Sequence, residues 1–144
     1  MNSKDTLFVG INAFHRSLVR LTGGRVGGKL AGMPVVILET TGRKSGEPRR
    51  TMLTAPVVDG DTVVLVASYG GDSRHPAWYL NLTADPDVVL ERDGTRTPMR
   101  ARTATAEEKA AYWPRIVASY RGYAAYQRRT DRDIPVVLLT PSGR

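Results

Sequence analysis

Three cations and a hydroxyl group stand within one short segment of the sequence, TTGRKSGEPR at residues 40–49. Arg43, Lys44 and Arg49 carry the charges, Ser45 carries the hydroxyl group, and two glycines allow a tight turn. Such a turn offers backbone N–H groups and charge-assisted hydrogen bonds to a phosphate. The glycine spacing is not that of a Walker A loop. From these residues alone, a phosphate site and a solvent-exposed basic turn are equally compatible with the pattern.

A second segment, ASYGGDSRHPAWY at residues 67–79, combines a hydroxyl group, a glycine pair and large aromatic residues. Ser68 follows a predicted strand, where it either hydrogen-bonds a substrate carbonyl or nitro group or caps the strand end. Trp78 and Tyr79 fall in the first turn of a predicted helix. They are core or interface aromatics unless a cofactor lies beside them.

Three tyrosines, Tyr120, Tyr123 and Tyr126, recur at every third position. On a helix this spacing spreads them over an arc of about 120°, so they form a wall rather than a point. Core aromatics seldom occur as three tyrosines, because each buried hydroxyl group needs a partner. The pattern leaves open whether the wall faces a ligand cavity or packs around a barrel.

The sequence excludes several self-sufficient catalytic sets. There is no cysteine, which rules out thiolate catalysis and disulfides. The two histidines, His15 and His75, lie in no metal-ligand pattern, so we expect no metal site. Glu107 and Glu108 are neighbours at a helix start rather than a catalytic carboxylate pair, and no nucleophile elbow accompanies His75. We therefore expect a bound cofactor, rather than a set of side chains, to supply the reactive group.

The chain has 144 residues and a formal net charge of +7. This length fits one domain with a core of its own. The positive charge implies affinity for anions, among them nucleic acid, acidic lipids and phosphorylated cofactors. No apolar run reaches the roughly 18–20 residues of a membrane span, and the N-terminus lacks a signal-peptide layout. We expect a cytoplasmic protein.

Residues 5–22 predict an amphipathic helix, because apolar residues recur there at three- and four-residue steps. A glycine-rich stretch through Gly32 follows and predicts a loop. The helix is basic, so it either covers one end of the core or makes a peripheral contact with the inner face of a membrane.

The rest of the chain is rich in strand patterns. Residues 34–41 (PVVILETT) form a nearly continuous apolar run, as in a strand buried on both faces. Asp59-Gly60 and Asp93-Gly94 predict two tight hairpins. The hairpin strands and the last strand are predicted at residues 51–58, 61–68, 88–92, 95–104 and 134–140. The last of these is apolar enough for a central place in a sheet.

Two further helices are predicted between these strands. One covers residues 76–83, with Pro76 in its first turn. The other opens at the capping pattern TAEE, residues 105–108, and should be bent or broken by Pro114 and Gly122. About six mostly antiparallel strands, an N-terminal helix and two inserted helices indicate an α+β fold, a closed or split β-barrel.

Three stretches together resemble the deazaflavin-dependent nitroreductase family, small split β-barrel oxidoreductases that use coenzyme F420. They are LETTGRKSGEPR, VASYGGDSRHPAWYLNLTADPDV and AYWPRIVASYRGYAAYQRRTDRDIPVV, in this order over residues 38–137. The resemblance implies a split barrel like the FMN-binding fold of pyridoxamine-phosphate oxidases. Residues 1–33 would then be an N-terminal helix and loop, and residues 34–144 the deazaflavin-binding domain.

The resemblance also implies a cofactor and a set of site residues. The cofactor is coenzyme F420, an 8-hydroxy-5-deazaflavin whose phosphate and oligoglutamate tail would be held by the basic turn. The implied cofactor contacts are Arg43, Lys44, Ser45, Arg49, Ala67, Ser68, Tyr69, Gly70, Ala77, Trp78, Tyr79 and Asn81. The implied substrate contacts are Ser68, Tyr120, Tyr123 and Tyr126. Ser68 and Tyr126 are the expected catalytic residues, as hydrogen-bond donors to the oxygen where negative charge develops.

The implied activity is hydride transfer from reduced F420 to a small electron-poor acceptor: a quinone, a nitroaromatic, or the activated C=C bond of a lactone or coumarin. Two alternatives stay open, an FMN-dependent oxidoreductase of the same barrel and a non-enzymatic basic protein that binds anions or membranes. We expect no nucleic-acid partner, because aromatic residues are not interleaved with the basic turn. The sequence is compatible with both a monomer and a homodimer.

Overall fold

The computed structural model describes residues 29–30 and 32–142 of the chain. The helix predicted at residues 5–22 lies outside the described residues. The strands are β1 (Lys29–Leu30), β2 (Met33–Thr41), β3 (Pro48–Thr54), β4 (Val57–Asp59), β5 (Thr62–Val66), β6 (Asp87–Arg92), β7 (Thr95–Thr103) and β8 (Val136–Pro141). The helices are α1 (Ala77–Ala84), α2 (Ala106–Ser119) and α3 (Gly122–Arg129), with a short 3-10 turn at Tyr69–Gly71.

The strands form one antiparallel sheet in the order β1-β2-β6-β7-β8-β5-β4, and β3 pairs with β2. The expected α+β split barrel is confirmed. The described part has more strands than the expected six, for two reasons. A short β1 forms within the stretch predicted as a loop and pairs with the start of β2. The strand predicted at residues 51–58 is divided in two.

The division of that strand falls at Ala55 and Pro56. Ala55 N donates to Pro34 O at 2.9 Å, which ends the pairing of β3 with β2. Pro56 has no N–H group to continue a ladder. The chain turns a corner there, and β4 pairs with β5 instead. The prediction of one continuous strand was therefore wrong.

Both predicted hairpins are present. Asp93 (φ 51°) and Gly94 (φ 80°) are both left-handed and join Arg92 to its partner Thr95, as the pair Asp-Gly predicts. In the other hairpin Asp59 still pairs with Thr62, so the two-residue turn begins one position later than the sequence suggests.

Strands β5 and β8 separate two hydrophobic cores, because alternate residues of each strand point to opposite faces. One face lies in the barrel interior with Leu38, Trp78 and Leu90, and the other lies beneath α2 and α3 with Ile116 and Tyr123. The interior residues of the two strands are Val63, Leu65, Val137 and Leu139, and those of the outer core are Val64, Val66, Val136 and Leu138. The predicted central position of the last strand is confirmed, since β8 lies between β7 and β5.

Strand β2, by contrast, is fully buried on one face only. Val36, Leu38 and Thr40 are buried, whereas Ile37 and Glu39 on the opposite face are only half-buried. On that outer face only Met33, the first residue of the strand, is fully buried, and it lies in the outer core against Tyr123 of α3. The prediction of a strand buried on both faces was wrong here.

The inserted helices begin and end close to the predicted residues. Pro76 is the N-cap of α1 rather than a residue of its first turn. The capping box of α2 is present, with Thr105 Oγ1 accepting from Glu108 N at 3.2 Å and Glu108 Oε1 accepting from Thr105 N at 2.9 Å. The helix continues past Pro114, and the break comes at Tyr120, just before Gly122. Among the described residues, no helix is long and apolar enough to span a membrane.

Candidate active site

The basic turn between β2 and β3 is a closed loop. Gly42 N donates to Glu47 O at 2.8 Å, and Gly46 N donates to Gly42 O at 2.8 Å. A Cβ atom on Gly42 would lie 2.6 Å from Ser45 Oγ and 3.2 Å from Glu47 O, so the loop closes this tightly only around glycine. Residues 43–47 of the loop are exposed.

Asn81 of α1 anchors this loop to the helix. Its side chain is buried, and its Oδ1 accepts from Arg43 N at 3.2 Å and from Arg43 Nη1 at 3.0 Å. Its Nδ2 donates to Thr40 Oγ1 at 3.1 Å. A buried amide with both ends bonded fixes its neighbours, because any displacement leaves a polar group without a partner. Asn81 therefore sets the position of the loop over the start of α1.

A cleft of about 380 Å³ lies between the loop and α1. It brings together the predicted cofactor contacts Arg43, Lys44, Ser45, Arg49, Ala77, Trp78 and Asn81. Arg50 and Thr51 also line it, although the sequence did not single them out. Arg50 is paired with Glu91 at 3.1 Å.

The cations of the cleft fit a ligand with several negative charges. No carboxylate of the described residues lies within salt-bridge distance of Arg43, Lys44 or Arg49. Arg49 Nη2 instead donates to Ser45 Oγ at 3.2 Å, which aligns a guanidinium group and a hydroxyl group. Cations gathered in a cleft repel one another unless an anion lies between them. The donor set suits the phosphate and acidic tail of F420.

Ser68 begins a left-handed turn at the end of β5. Tyr69, Gly70 and Gly71 have φ angles of 46°, 64° and 83°. Gly71 N donates to Ser68 O at 2.9 Å. The Ser68 side chain is half-buried and makes no hydrogen bond to any described residue. Its hydroxyl group is therefore available to a ligand.

Helix α3 packs directly on this turn. A Cβ atom on Gly71 would lie 3.0 Å from Tyr126 O and 3.0 Å from Arg129 Cβ, so glycine allows the close approach. The Arg129 guanidinium group lies 5.8 Å from the centre of the Tyr126 ring, and its Nη1 contacts Gly70 O at 3.4 Å. The structure thus brings the predicted turn and the predicted tyrosine helix together.

The three tyrosines form one ring cluster that runs from the core to the surface. The ring centres of Tyr120 and Tyr123 are 5.4 Å apart, those of Tyr123 and Tyr126 are 6.1 Å apart, and those of Tyr120 and Tyr126 are 6.3 Å apart. Tyr123 is buried in the outer core and its hydroxyl group lies 3.2 Å from Thr54 Oγ1, whereas Tyr120 is 37% exposed. Packing therefore accounts for Tyr123, whereas a ligand cavity beside Tyr120 and Tyr126 stays a prediction.

Burial also affects the protonation of Tyr123 and Tyr126. It raises the pKa of Tyr123. Burial, followed by the hydrogen bond with Tyr120, raises the pKa of Tyr126 to about 12. Tyr126 therefore keeps its proton at neutral pH and offers an O–H donor rather than a base. Whether Tyr123 touches a substrate stays a prediction.

Trp78 and Tyr79 pack as the sequence allows for core aromatics. Trp78 is buried in the barrel interior and meets Tyr79 edge to face, with ring centres 6.4 Å apart. Tyr79 Oη lies 2.8 Å from Thr103 Oγ1. Trp78 also forms part of the cleft wall, so packing and ligand contact are compatible for this residue.

Sequence reasoning missed Arg132, which lies just before β8. Its guanidinium group donates to Asp72 O, Ala67 O and Ser68 O at 2.8, 3.1 and 2.9 Å. Its Nη1 also lies 3.2 Å from His75 Nδ1. Burial, followed by the neighbouring Arg132 charge, lowers the pKa of His75. No local pattern marks Arg132, because its partners are about 60 residues away in sequence.

The fold defines a class of protein, the split barrels, and the cations of its cleft would suit an anionic ligand. The sequence matches the family described as F420H(2)-dependent quinone reductase over residues 13–141, and the chain belongs to this family. The family, the enzyme class and the cofactor F420 expected from the sequence are thereby confirmed. No group of three or more metal-binding side chains occurs among the described residues.

Similar proteins carry related descriptions. An F420H(2)-dependent quinone reductase of Mycobacterium tuberculosis is 41% identical over 130 residues, which are 88% of this chain and 87% of that protein. A solved F420-H2 dependent reductase is 40% identical, with a TM-score of 0.67 over 74% of this chain and 93% of its own. Another solved structure, described as a domain-swapped dimer, is 36% identical, with a TM-score of 0.68 over 86% and 98%.

The anchoring role of Asn81 can be tested with Asn81→Ala. We expect the dissociation constant of F420 to rise about tenfold, since one buried hydrogen-bond set to the loop is lost, worth roughly 1–3 kcal/mol. F420 fluorescence titration measures this constant. Thr83→Ala, on the exposed side of the same helix, is the matched control and should bind normally. Equal affinity in both variants would contradict the anchor.

The lowered pKa of His75 predicts a pH dependence of stability. Below the ordinary pKa of 6.5, the unfolded chain takes up this proton more readily than the folded protein. The free energy of unfolding should therefore fall as the pH drops below 6.5. Denaturant unfolding of the wild type and of His75→Gln across this range isolates the effect. Parallel pH profiles for the two proteins would refute it.

Proposed function

We propose that this protein reduces quinones with the hydride of reduced F420. The observation that carries the proposal is the cleft in which Arg43, Lys44 and Arg49 meet without a carboxylate partner among the described residues. The family and the relatives described as quinone reductases support the quinone as the acceptor. Nitroaromatics and activated C=C bonds stay predictions from the sequence.

Different residues are proposed to bind the cofactor and to orient the reactants. Arg43, Lys44, Ser45 and Arg49 hold the phosphate end of the cofactor by charge-assisted hydrogen bonds. When bound, reduced F420 supplies the hydride. The cleft and the turn at Ser68 orient the two reactants, and orientation alone can lower a barrier by about 7–11 kcal/mol.

Ser68 and Tyr126 are proposed to stabilise the reduced acceptor. Both can donate an O–H group to the quinone oxygen on which negative charge develops. Tyr126 suits this role because its pKa of about 12 keeps the donor protonated. Tyr126 lies beside Tyr120, with ring centres 6.3 Å apart, and Tyr120 is 37% exposed, so the proton that the reduced quinone takes up is proposed to come from solvent on this side.

The alternatives from the sequence are less well supported. The cleft would also accept the phosphate of FMN, but membership of an F420-dependent family favours the deazaflavin. The same membership favours an enzyme over a non-enzymatic anion or membrane binder.

The relative described as a domain-swapped dimer supports a homodimer over a monomer. The cytoplasmic location and the membrane contact of residues 5–22 stay predictions.

Removing cations from the cleft should weaken cofactor binding. We expect Lys44→Ala and Arg49→Ala each to raise the dissociation constant of F420 about tenfold or more, because a hydrogen bond to a charged group contributes roughly 1.5–3 kcal/mol. Fluorescence titration at two salt concentrations measures the loss. Arg100→Ala is the matched control, since Arg100 of β7 is paired with Asp87 of β6 and lies outside the cleft. Unchanged F420 affinity in Lys44→Ala and Arg49→Ala would refute the proposed binding of the cofactor by these cations.

Tyr126→Phe should slow the reaction without affecting cofactor binding. We expect kcat for a soluble naphthoquinone to fall about tenfold, as one donor to a developing charge is removed. The dissociation constant of F420 should stay near that of the wild type. Tyr112→Phe removes a hydroxyl group that donates to Asp59, and it should leave kcat unchanged. A normal kcat in Tyr126→Phe would remove this residue from the mechanism.

A further inference from the structure

The turn after Ser68 contains one residue, Tyr69, in a backbone conformation that its side chain disfavours. Tyr69, Gly70 and Gly71 are all left-handed, with φ angles of 46°, 64° and 83°. Glycine adopts such angles freely, but the Cβ atom of tyrosine crowds the backbone there. A strained residue next to a functional group persists only where its surroundings hold it in place.

Arg132 supplies this support from outside the turn. Its Nη2 donates to Ala67 O at 3.1 Å and to Ser68 O at 2.9 Å, and its Nε donates to Asp72 O at 2.8 Å. These carbonyl groups flank the left-handed residues on both sides. Arginine presents five N–H donors in a rigid planar fork, so one side chain joins the two ends of the turn.

The backbone around Arg132 is itself fixed to the tyrosine helix. Arg132 O accepts from Gln127 Nε2 at 2.8 Å, and Gln127 Oε1 accepts from Ile134 N at 3.0 Å. Lys109 Nζ of α2 donates to the same Oε1 at 2.9 Å. Gln127 is the residue after Tyr126. The bonds of Arg132 therefore set the turn relative to the helix that carries the proposed proton donor.

We propose that Arg132 is a positioning residue for the reductase reaction: it holds the left-handed turn and so aims Ser68 at the acceptor bound beside Tyr126. The carbonyl groups of Ala67 and Ser68 are taken by the guanidinium group. The Ser68 hydroxyl group, which bonds to no described residue, is thereby left for the acceptor. The claim that Arg132 orients Ser68 toward the acceptor rests on the proposed function. The claim that Arg132 holds the turn in its left-handed conformation does not.

The hold is tested by hydrogen exchange of the protein without cofactor or substrate. We expect Arg132→Met to speed amide exchange at Gly71 and Asp72 about tenfold or more, with little change in β5 and β8. Arg132→Lys should lie between Met and the wild type, because one ammonium group cannot span the three carbonyl groups. Arg128→Met, an exposed change on α3, is the matched control. Wild-type exchange at the turn in Arg132→Met would overturn the proposal.

A second variant tests the strain directly and guards against poor folding of Arg132→Met. Tyr69→Gly removes the side chain that disfavours the left-handed angle. Added to Arg132→Met or Arg132→Lys, it should bring exchange at Gly71 and Asp72 back toward the wild-type rate. If exchange stays as fast as in the single variant, Arg132 does not act by holding the strained turn.

Steady-state kinetics and F420 titration then distinguish a positioning role of Arg132 from a general loss of structure. We expect Arg132→Met and Arg132→Lys to lower kcat with menadione about tenfold to a hundredfold, as expected for a small misplacement of a reacting group. The dissociation constant of F420 should change by a smaller factor than kcat, because the cations proposed to hold the phosphate end of the cofactor lie in the cleft and not in the turn. A loss of F420 affinity with unchanged kcat would overturn the proposal. If the wild-type protein reduced no quinone, the proposed function would be wrong. The hydrogen-exchange test of Arg132 would be unaffected.

Discussion

Strands β5 and β8 pair in antiparallel register, with Val63 opposite Leu139 and Val66 opposite Val136. Both strands are buried on both faces, so a slip of one residue would exchange the barrel interior with the outer core. This burial fixes the register, and the register places the end of β5 beside the start of β8, where Ala67 N donates to Pro135 O at 2.9 Å. The segment before β8 therefore runs past the turn after β5. The contacts around Ser68 are a consequence of hydrophobic burial in two neighbouring strands.

Three cations of the described residues lie together in the cleft without a carboxylate partner. Cations on the outer strand faces are matched by carboxylates, as in the pairs Arg50–Glu91, Arg96–Glu39, Arg100–Asp87 and Arg102–Glu108. Exposed pairs of this kind contribute little stability, but they neutralise the local field. The cations Arg43, Lys44 and Arg49 have no such match among the described residues. An anion entering the cleft therefore meets charge that the rest of the barrel has not compensated.

Local chemistry made part of the fold predictable. Asp93-Gly94 encodes a left-handed hairpin turn, and Thr105 with Glu108 encodes a helix start, because their partners lie within a few residues. The corner at Pro56 depends on which strand β4 meets, and the contacts of Arg132 depend on the β5–β8 register. The basic turn was found from its composition, but its anchor Asn81 was named only through the family resemblance. Contacts between distant residues leave no periodic signal in a single sequence.

The tyrosine cluster shows why one helix can serve both the core and the reaction. Tyr123 is apolar packing with a bonded hydroxyl group, and its burial fixes the rotation of α3. With that rotation set, the backbone of Tyr126 lies against the turn at Gly71, and burial of its side chain raises its pKa. Tyr120, six residues before Tyr126 at the break between α2 and α3, reaches solvent. The spacing of three residues along this short helix therefore places one tyrosine in the core and the next half-buried, and the break before the helix leaves Tyr120 exposed beside them.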